Sequence, residues 1–404
     1  MVIKEKNNIP TGYKDSAVGI IPQEWEVTTL GKLVSITSGE SPSLYNLQSS
    51  GKYPYVKVED MNNCEKYQVF SREYSDDEKG AIPKGSIIFP KRGAAIINNK
   101  VRIADCALYM DSNMMAITPN EYVCGDYLYF KITFEKLYKI ADTSTIPQIN
   151  NKHIIPYKLA VPPMREQRKI AEILGVWDEA IEKQSRLIER LEVRKRALMQ
   201  RLLTGRTRLP GFTDDVQYRK LKPFITEKSE RNTNQTYANV LSVTNNRGFV
   251  NQAEQFDREV ASDNTANYKL VRKGQFAYNP SRVNVGSLDL LQTYDLGVLS
   301  PMYIVFETKP TMDSKFLYYQ LKSSWFVGHI PMYVQGSVRD SLSFDGLENM
   351  RFWIPSLPEQ KAIAEALTTA DKEIATHRKK LDALRQQKRG LMQQLLTGKT
   401  RVKI

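Results

Sequence analysis

Long hydrophobic runs are absent from this sequence. No apolar stretch approaches the length of about 18 residues that would suggest a transmembrane helix. The first residues, "MVIKEKNNIP", also lack the apolar segment of a secretory signal peptide. We therefore expect a cytoplasmic protein that has no membrane partner.

Cysteine and histidine are scarce, with three residues of each in the chain. The cysteines, Cys64, Cys106 and Cys124, are odd in number and widely spaced, which argues against a disulfide framework and against a zinc site. The histidines are equally scattered, so neither a metal cluster nor a catalytic base is indicated. No metal site is expected.

Acidic residues are too few to balance the basic ones. There are 45 Asp and Glu residues against 58 Lys and Arg, which gives a net charge of +13. A surplus of this size is typical of proteins with a polyanionic partner, most often a nucleic acid. A chain of 404 residues with 41% hydrophobic content fits a globular protein of two or three folded units.

What the sequence does contain is an internal repeat. "LLTGRTR" at Leu202–Arg208 returns as "LLTGKTR" at Leu395–Arg401, 193 positions later (395 − 202). The same shift aligns "EQRKIAEIL" at Glu166–Leu174 with "EQKAIAEAL" at Glu359–Leu367. No gap is needed between residues 161–208 and 354–401, so chance does not explain the match.

Both copies show the heptad spacing of apolar residues that is typical of a coiled coil. Prolines precede each copy, and Gly205 and Gly398 suit its C-terminal end, so each copy predicts one long helix. The predicted helix-pair seam consists of Ile170, Leu174, Trp177, Ile181, Ile188, Leu191, Leu198 and Leu202 in the first copy, and of Ile363, Leu367, Ile374, Leu381, Leu384, Leu391 and Leu395 in the second.

A helix with one apolar stripe needs a partner, and the expected partner is the repeat itself, paired antiparallel as a coiled coil. A plain helical spacer is the alternative. With a two-fold axis near residues 186 and 379, Lys195 would lie opposite Ala370 and Lys388 opposite Trp177. The Lys388 ammonium would then lie over the Trp177 ring, a contact worth about 0.5–2 kcal/mol.

The blocks that precede the helices repeat more faintly. "KGSIIFPKRG" at Lys84–Gly93 resembles "KGQFAYNPSR" at Lys273–Arg282, and "YLYFKI" at Tyr127–Ile132 resembles "FLYYQL" at Phe316–Leu321. Both blocks show short β-rich segments broken by Gly, Pro and Asn. We predict an α+β protein with mixed α/β domains at 1–160 and 210–353, and spacer helices at 161–209 and 354–404.

Two related readers held apart by a rod would suit duplex DNA, in which half-sites are related by a two-fold axis. Because the two blocks differ in their loops, the DNA site would be bipartite and asymmetric. The helix pair would then set the distance between its two halves.

The sequence resembles the specificity subunits of Type I restriction–modification enzymes. The resemblance lies in "GIIPQEWEVTTLGKL" at Gly19–Leu33, in "PYKLAVPPMREQRKIAEIL" at Pro156–Leu174, and in "MRFWIPSLPEQKAIAEAL" at Met350–Leu367. The "LLTG" helix ends add to it, and it covers nearly the whole chain.

The resemblance implies two target-recognition domains, each reading one half of a bipartite DNA site. It also implies spacer helices that bind two modification (methyltransferase) subunits, with restriction (ATP-dependent translocase/endonuclease) subunits joining for cleavage. It implies neither catalytic activity nor a cofactor for this chain, since S-adenosylmethionine and ATP are expected only on the partner subunits.

The residues themselves agree with a non-catalytic role. "NPSR" at Asn279–Arg282 lacks the second proline and the aromatic residue of a DNA aminomethyltransferase loop. "GKT" at Gly398–Thr400 lacks the upstream glycine of a P-loop, and "EQK" at Glu359–Lys361 lacks the Pro-Asp of a nuclease site. Two alternatives remain open: a fused single-chain methyltransferase or nuclease, and a coiled-coil scaffold protein without sequence-specific DNA binding.

Base readout favours Arg, Lys, Asn, Gln and Ser side chains presented from loops. The candidate DNA-binding residues of the first block are Lys91, Arg92, Asn98, Asn99, Lys100, Arg102, Gln148 and Asn150. Those of the second block are Tyr278, Asn279, Ser281, Arg282, Gln335, Ser337 and Arg339. For each of them, an ordinary solvated loop residue is the competing interpretation.

Overall fold

The computed structural model describes residues 9–78, 80–214, 216–252, 264–334 and 341–403. The chain divides into two compact units: unit 1 comprises Met1–Gln184 and Lys380–Ile404, and unit 2 comprises Ser185–Lys379. Each unit therefore holds one globular block and one half of each long helix. The predicted boundaries of the four segments stay predictions.

Short strands and helices form the globular block of unit 1. The strands are β1 Tyr13–Lys14, β2 Ile21–Pro22, β3 Glu26–Thr29, β4 Val34–Ser38, β5 Tyr53–Val56, β6 Tyr67–Gln68, β7 Tyr74–Ser75, β8 Ile87–Pro90, β9 Arg102–Ala104, β10 Tyr109–Met110, β11 Met114–Pro119 and β12 Lys158–Val161. The helices are α1 Ala94–Ile97, α2 Gly125–Glu135, α3 Leu137–Ile140 and α4 Asn151–Ile154, and they are followed by the long helix α5 Met164–Leu202.

A five-stranded sheet in the order β4-β11-β8-β9-β6 carries this block. Its central strand β8 is buried throughout, because its two faces pack into different hydrophobic clusters. Ile87 and Phe89 belong to the main core, whereas Ile88 belongs to a smaller cluster on the other face. The main core also contains Ile170, near the start of α5, and Leu395, near the end of the second long helix, so one end of each long helix lies inside it.

Unit 2 repeats this plan, with fewer strands among its described residues. Its strands are β13 Tyr218–Lys220, β14 Ile225–Lys228, β15 Leu241–Thr244, β16 Gly248–Asn251, β17 Lys269–Arg272, β18 Phe276–Tyr278, β19 Leu288–Leu290, β20 Leu296–Leu299, β21 Ile304–Thr308 and β22 Arg351–Trp353. The helices after α5 are α6 Ser314–Leu321, α7 Ser324–His329, α8 Phe344–Asn349 and the long helix α9 Leu357–Leu396.

The main sheet of unit 2 has the order β14-β21-β18-β19, in which β18 takes the place of β8. β18 pairs with β21 through Phe276 and Phe306, as β8 pairs with β11 through Ile87 and Ile117. The faint sequence repeat between the blocks is therefore a repeat of structure.

The two long helices run antiparallel within each unit, as predicted. In unit 1 the start of α5 lies beside the segment that follows α9, where Glu166 meets Arg401. In unit 2 the start of α9 lies beside the segment that follows α5, where Glu359 meets Arg208. Every residue of the predicted seam is buried except Trp177, Leu198, Leu384 and Leu391, which are half-buried.

The outer residues of the seam have a second role that the helix pattern did not predict. Ile170 and Leu174 pack in the core of the unit 1 block, and Ile363 and Leu367 pack in the core of the unit 2 block. Each globular block is thus fixed to both helices by shared apolar contacts.

Candidate nucleic-acid interface

Two equivalent loops follow the equivalent strands β8 and β18. Lys91 and Arg92 come directly after β8, and Asn279–Arg282 come directly after β18. Since the two strands hold the same place in their sheets, each unit presents its loop from the same sheet position. This is the position at which the sequence predicted polar side chains for DNA contact.

The structure brings the two candidate stretches of unit 1 together. Arg92 forms an antiparallel bridge with Gln148. The Ile149 N–H donates to the Lys91 carbonyl at 2.9 Å. Burial and the neighbouring Arg92 charge lower the pKa of Lys91 from its ordinary value, and Asp111 opposes the shift. Backbone contacts therefore join the two loops, 91–92 and 148–149, into one surface, and Lys91 and Arg92 give this surface its positive charge.

Several candidates of unit 1 present their side chains to solvent. Arg92, Asn98 and Asn150 are exposed, whereas Lys91, Lys100 and Gln148 are half-buried. Lys100 Nζ donates to Asn62 Oδ1 at 2.6 Å. The Asn150 N–H donates to His153 Nδ1 at 3.1 Å, and this bond caps the start of α4.

Asn99 and Arg102 have structural roles instead. Asn99 has φ of 52°, its Nδ2 donates to the Thr133 carbonyl at 2.8 Å, and its Oδ1 accepts the Leu137 N–H at 2.8 Å. Arg102 donates to the carbonyls of Cys64, Val101 and Met61 at 2.8–2.9 Å. Because their polar groups are used within the protein, these two residues do not belong to the exposed set.

Unit 2 shows the same division between structural and exposed candidates. Tyr278 is fully buried, and burial raises the pKa of its hydroxyl. Asn279 is also buried, and its Oδ1 accepts the Ser281 N–H at 3.1 Å, which shapes the turn. Ser281 and Arg282 are exposed at the tip. Gln335, Ser337 and Arg339 lie outside the described residues.

Two buried Arg–Glu pairs, here termed the clasps, close the units. In unit 1, Arg401 donates through Nε and Nη2 to the two carboxylate oxygens of Glu166 at 2.7 and 2.9 Å. The Trp25 indole N–H donates to the same carboxylate at 3.0 Å. Glu166 is fully buried, so this planar two-point pairing satisfies a charge that water cannot reach.

Unit 2 contains the same clasp. Arg208 donates through Nε and Nη2 to Glu359 at 2.6 Å each, and Glu359 is fully buried. Gly205 and Gly398 take left-handed φ values of 71° and 72° after the helices, and this turn leads the chain back towards the arginine. The "LLTG" repeat thus ends each helix so that its arginine reaches the start of the other.

The tryptophans that cover these glycines come from different strands of the two units. A Cβ on Gly205 would lie 2.4 Å from Trp353 Nε1, whereas one on Gly398 would lie 2.5 Å from Pro22 Cδ and 3.3 Å from Trp25 Cη2. Trp353 ends β22, whereas Trp25 precedes β3, the neighbour of β12 in unit 1. The tryptophan beside the glycine therefore comes from β22 of the β13–β22 pair in unit 2, and from the residue before β3 of the β3–β12 pair in unit 1.

A second pair of ions lies further along each helix pair. Lys388 pairs with Asp178 in unit 1, and Lys195 pairs with Asp371 in unit 2. Each carboxylate is one residue beyond the predicted neighbour, which was Trp177 or Ala370. The ring beneath Lys388 is Phe130 of α2, at 5.1 Å from Nζ to the centroid, so the prediction of the Trp177 ring was wrong.

Buried glutamines that the sequence analysis missed join each block to its helix. Gln167 accepts the Cys124 N–H at 2.8 Å and donates to the Pro162 carbonyl at 2.9 Å. Gln360 makes the equivalent bonds to the Asp313 N–H at 2.8 Å and the Pro355 carbonyl at 2.9 Å. The signal for them was present, since "EQ" is identical in both copies.

The ends of the long helices are also held by one residue from each block. Lys131 donates to the Leu396 carbonyl at 2.9 Å in unit 1, and Gln320 donates to the Leu203 carbonyl at 2.9 Å in unit 2. Burial lowers the pKa of Lys131, and its ion pair with Glu135 opposes that shift. The two units therefore bind their helix ends with a charged and a neutral donor.

Two further observations concern only the part of the chain that the structure describes. Its His, Cys, Asp and Glu side chains form no group that could hold a metal ion. None of its helices combines the length and the apolar character needed to cross a bilayer.

Comparison with known families places the repeat in context. Residues 22–193 and 215–386 each match the family described as Type I restriction modification DNA specificity domain. Both ends of the two matches are shifted by the 193 positions of the internal repeat (215 − 22 and 386 − 193).

Two relatives align with nearly the full chain. The Type I restriction enzyme MjaVIII specificity subunit of Methanocaldococcus jannaschii is 23% identical, over 95% of this chain and 94% of that protein. The putative type I restriction enzyme MjaX specificity subunit of the same organism is 26% identical, over 99% and 98%.

Solved structures share the fold. The Type I restriction-modification system S subunit from M. genitalium gives a TM-score of 0.54 at 16% identity, over 94% of this chain and 96% of that chain. A chain from the structural work on complex assembly and conformational transition of the type I R-M system gives a TM-score of 0.59 at 14% identity, over 94% and 99%.

Proposed function

Because the chain belongs to the Type I restriction modification DNA specificity family, we propose that it is the DNA sequence-specificity subunit of a Type I restriction–modification complex. The observation that carries the proposal is the tandem match of two specificity domains to the two units of the structure. A coiled-coil scaffold without DNA recognition is not favoured by the relatives, which are themselves specificity subunits.

Each unit reads one half of a bipartite, asymmetric DNA site. The proposal is supported by the equivalent loops after β8 and β18, which offer different side chains from the same sheet position. Arg92 and Lys91 carry positive charge in unit 1, and Arg282 carries it in unit 2. Arginine and lysine suit phosphate contacts and the guanine edge, so each loop has the chemistry of a DNA reader.

The helix pair sets the spacing of the half-sites and binds two modification subunits. Two identical partners need two similar surfaces, and the repeat keeps some exposed residues whose side chains have no contact in the described part of the chain that would explain their identity. Arg196 and Gln200 on α5 are exposed, and so are their counterparts Arg389 and Gln393 on α9. We assign these repeated positions to the modification subunits. Restriction subunits complete the assembly for cleavage.

The chain itself acts without catalysis in this proposal. Methyl transfer and ATP-driven cleavage belong to the partner subunits, which would hold S-adenosylmethionine and ATP. The buried carboxylates of the clasps support this division, because Glu166 and Glu359 are each held by an arginine inside a closed junction. They are closing residues and have no access to substrate.

Methylome sequencing of a host that carries the full complex tests the proposal. We expect a methylated motif with two defined halves and an undefined gap. Exchanging residues 1–160 for the equivalent segment of another family member should change one half of that motif and keep the other. Methylation without a bipartite motif, or a change in both halves, would contradict the two-reader function.

Arg282 offers a point test of the second reader. It is exposed at the tip of the loop after β18. Changing Arg282→Ala should weaken binding to the second half-site by about 1–3 kcal/mol if the guanidinium contacts a guanine through two hydrogen bonds. The matched control is Arg92→Ala in unit 1, which should affect the first half-site. Competition binding with duplexes altered in one half measures both, and equal sensitivity to either half would count against the assignment.

A further inference from the structure

Three arginines form a row along one face of α5 in unit 2. Arg190, Arg194 and Arg201 are all exposed. At 3.6 residues per turn they fall within one sector of about 40°, whose centre lies about 70° around the helix from the seam residues Leu191 and Leu198, so the row flanks the seam. These three side chains are referred to below as the arginine row.

The arginine row has no partner among the described residues. Its side chains form neither a hydrogen bond nor an ion pair there, whereas Arg186, one turn earlier, does have a contact and is left out of the row. Glu365 and Glu373 line the groove beside Arg194 without pairing with it. Three solvated guanidinium groups on one helix face make a surface suited to an anionic partner.

Comparison with the second copy of the repeat distinguishes between a protein partner and DNA. The 193-residue shift takes the arginine row to Ala383, Gln387 and Gln394, none of which is charged. A subunit that docks twice needs the same surface twice, and the row is present once. A single ligand shared by the whole chain, such as one DNA duplex, has no such requirement.

We propose that the arginine row binds the phosphate backbone of the DNA between the two half-sites. This inference rests on the proposed function. The first and last arginines of the row are eleven residue steps apart, or about 16 Å of helix at 1.5 Å per residue. That length covers about five base pairs at 3.4 Å per step, so all three guanidinium groups can reach one stretch of backbone. Contacts of this kind add affinity for any gap sequence.

The variant that tests the row carries the residues of its own repeat. The changes are Arg190→Ala, Arg194→Gln and Arg201→Gln, which a helix of the same kind holds at the equivalent positions of α9. Binding of the full complex to a duplex with the mapped recognition sequence is measured over a range of salt concentrations. Each lost phosphate contact lowers the slope of log K against log salt by about 0.9, so we expect a loss of up to about 2.7.

A control variant removes the same charge elsewhere. Lys372→Gln, Lys379→Gln and Lys380→Gln change three exposed lysines of α9. Their slope should equal that of the unaltered complex. An equal loss of slope in both variants would assign the effect to net charge and overturn the role of the row.

Neutral methylphosphonate linkages in the gap of the duplex provide the second arm. They should weaken binding by the unaltered complex and have little effect on the row variant, while the preference for the correct half-sites stays the same in both. An unchanged slope with impaired binding of the modification subunit would overturn the proposal in favour of a protein contact. Loss of half-site preference by the unaltered complex would instead contradict the proposed function.

Discussion

Replacing Arg208 with alanine should destabilise unit 2 more than replacing Arg401 destabilises unit 1. Both arginines close a clasp on a fully buried carboxylate, but the carboxylates differ in their other partners. Glu166 also accepts the Trp25 indole N–H at 3.0 Å. Glu359 has no further side-chain donor in the described part of the chain. Removal of the guanidinium therefore leaves Glu359 with less compensation.

The magnitude follows from the geometry of the pairs. Breaking a buried ion pair by removing one partner costs about 3–5 kcal/mol, because the remaining charge is uncompensated. The Arg208 and Arg401 side chains are 25% and 33% exposed, so solvent partly screens the arginine side of each pair and the lower end of that range applies. The retained bond from Trp25 should reduce the loss at Arg401→Ala by about 1–2 kcal/mol.

Native-state hydrogen exchange suits this comparison, because it reports local opening at the start of α5 and of α9 separately. The control is Trp25→Phe combined with Arg401→Ala, which removes the extra donor. That double variant should lose as much stability in unit 1 as Arg208→Ala loses in unit 2. Equal losses for the two single variants, or a larger one for Arg401→Ala, would refute the reasoning.

Burial lowers the pKa of Lys131 from 10.5, so the folded state binds fewer protons than the unfolded state below that value, and the free energy of unfolding of unit 1 should rise with pH there. Lys131→Gln, which places the residue type of Gln320 at this position, should reduce this dependence of the unfolding free energy on pH. Urea unfolding at a series of pH values measures it, and an unfolding free energy of the unaltered protein that does not change with pH would contradict the prediction. Inserting one heptad after Gln184 and after His377 keeps the clasps and adds about 10 Å, so methylome mapping should show a gap longer by about three base pairs. An unchanged gap would contradict spacing by the helices.

The architecture could be predicted from the sequence because duplication leaves a direct record. The shift of 193 aligned two heptad stripes, and an apolar stripe must be buried against something. Antiparallel pairing was expected because a globular block separates the two helices along the chain, and the structure confirms it within each unit. The positions opposite Lys195 and Lys388 were predicted to within one residue. A lysine reaches the nearest carboxylate, and the heptad pattern does not encode that preference.

The contacts made by the globular blocks could not be predicted in the same way. Phe130 lies under Lys388 because α2 packs on the helix pair, and a helix pattern carries no information about a third element. Tyr278 was proposed as a DNA contact, but it ends the inner strand β18 and is fully buried. Asn99 has a left-handed φ and serves the neighbouring helix, which its loop-like sequence does not show.

The junction residues are identical in the two copies because each junction is built from both of them. Glu166 and Arg401 come from opposite ends of the aligned segments, so each unit is closed by parts of both copies. A change in one copy therefore disturbs a contact with the other, and the glutamates, glutamines, glycines and arginines of the junctions are kept in both. Exposed positions such as those of the arginine row carry no such constraint. Differences between the copies on the surface are then the places where the two halves of this protein have separate tasks.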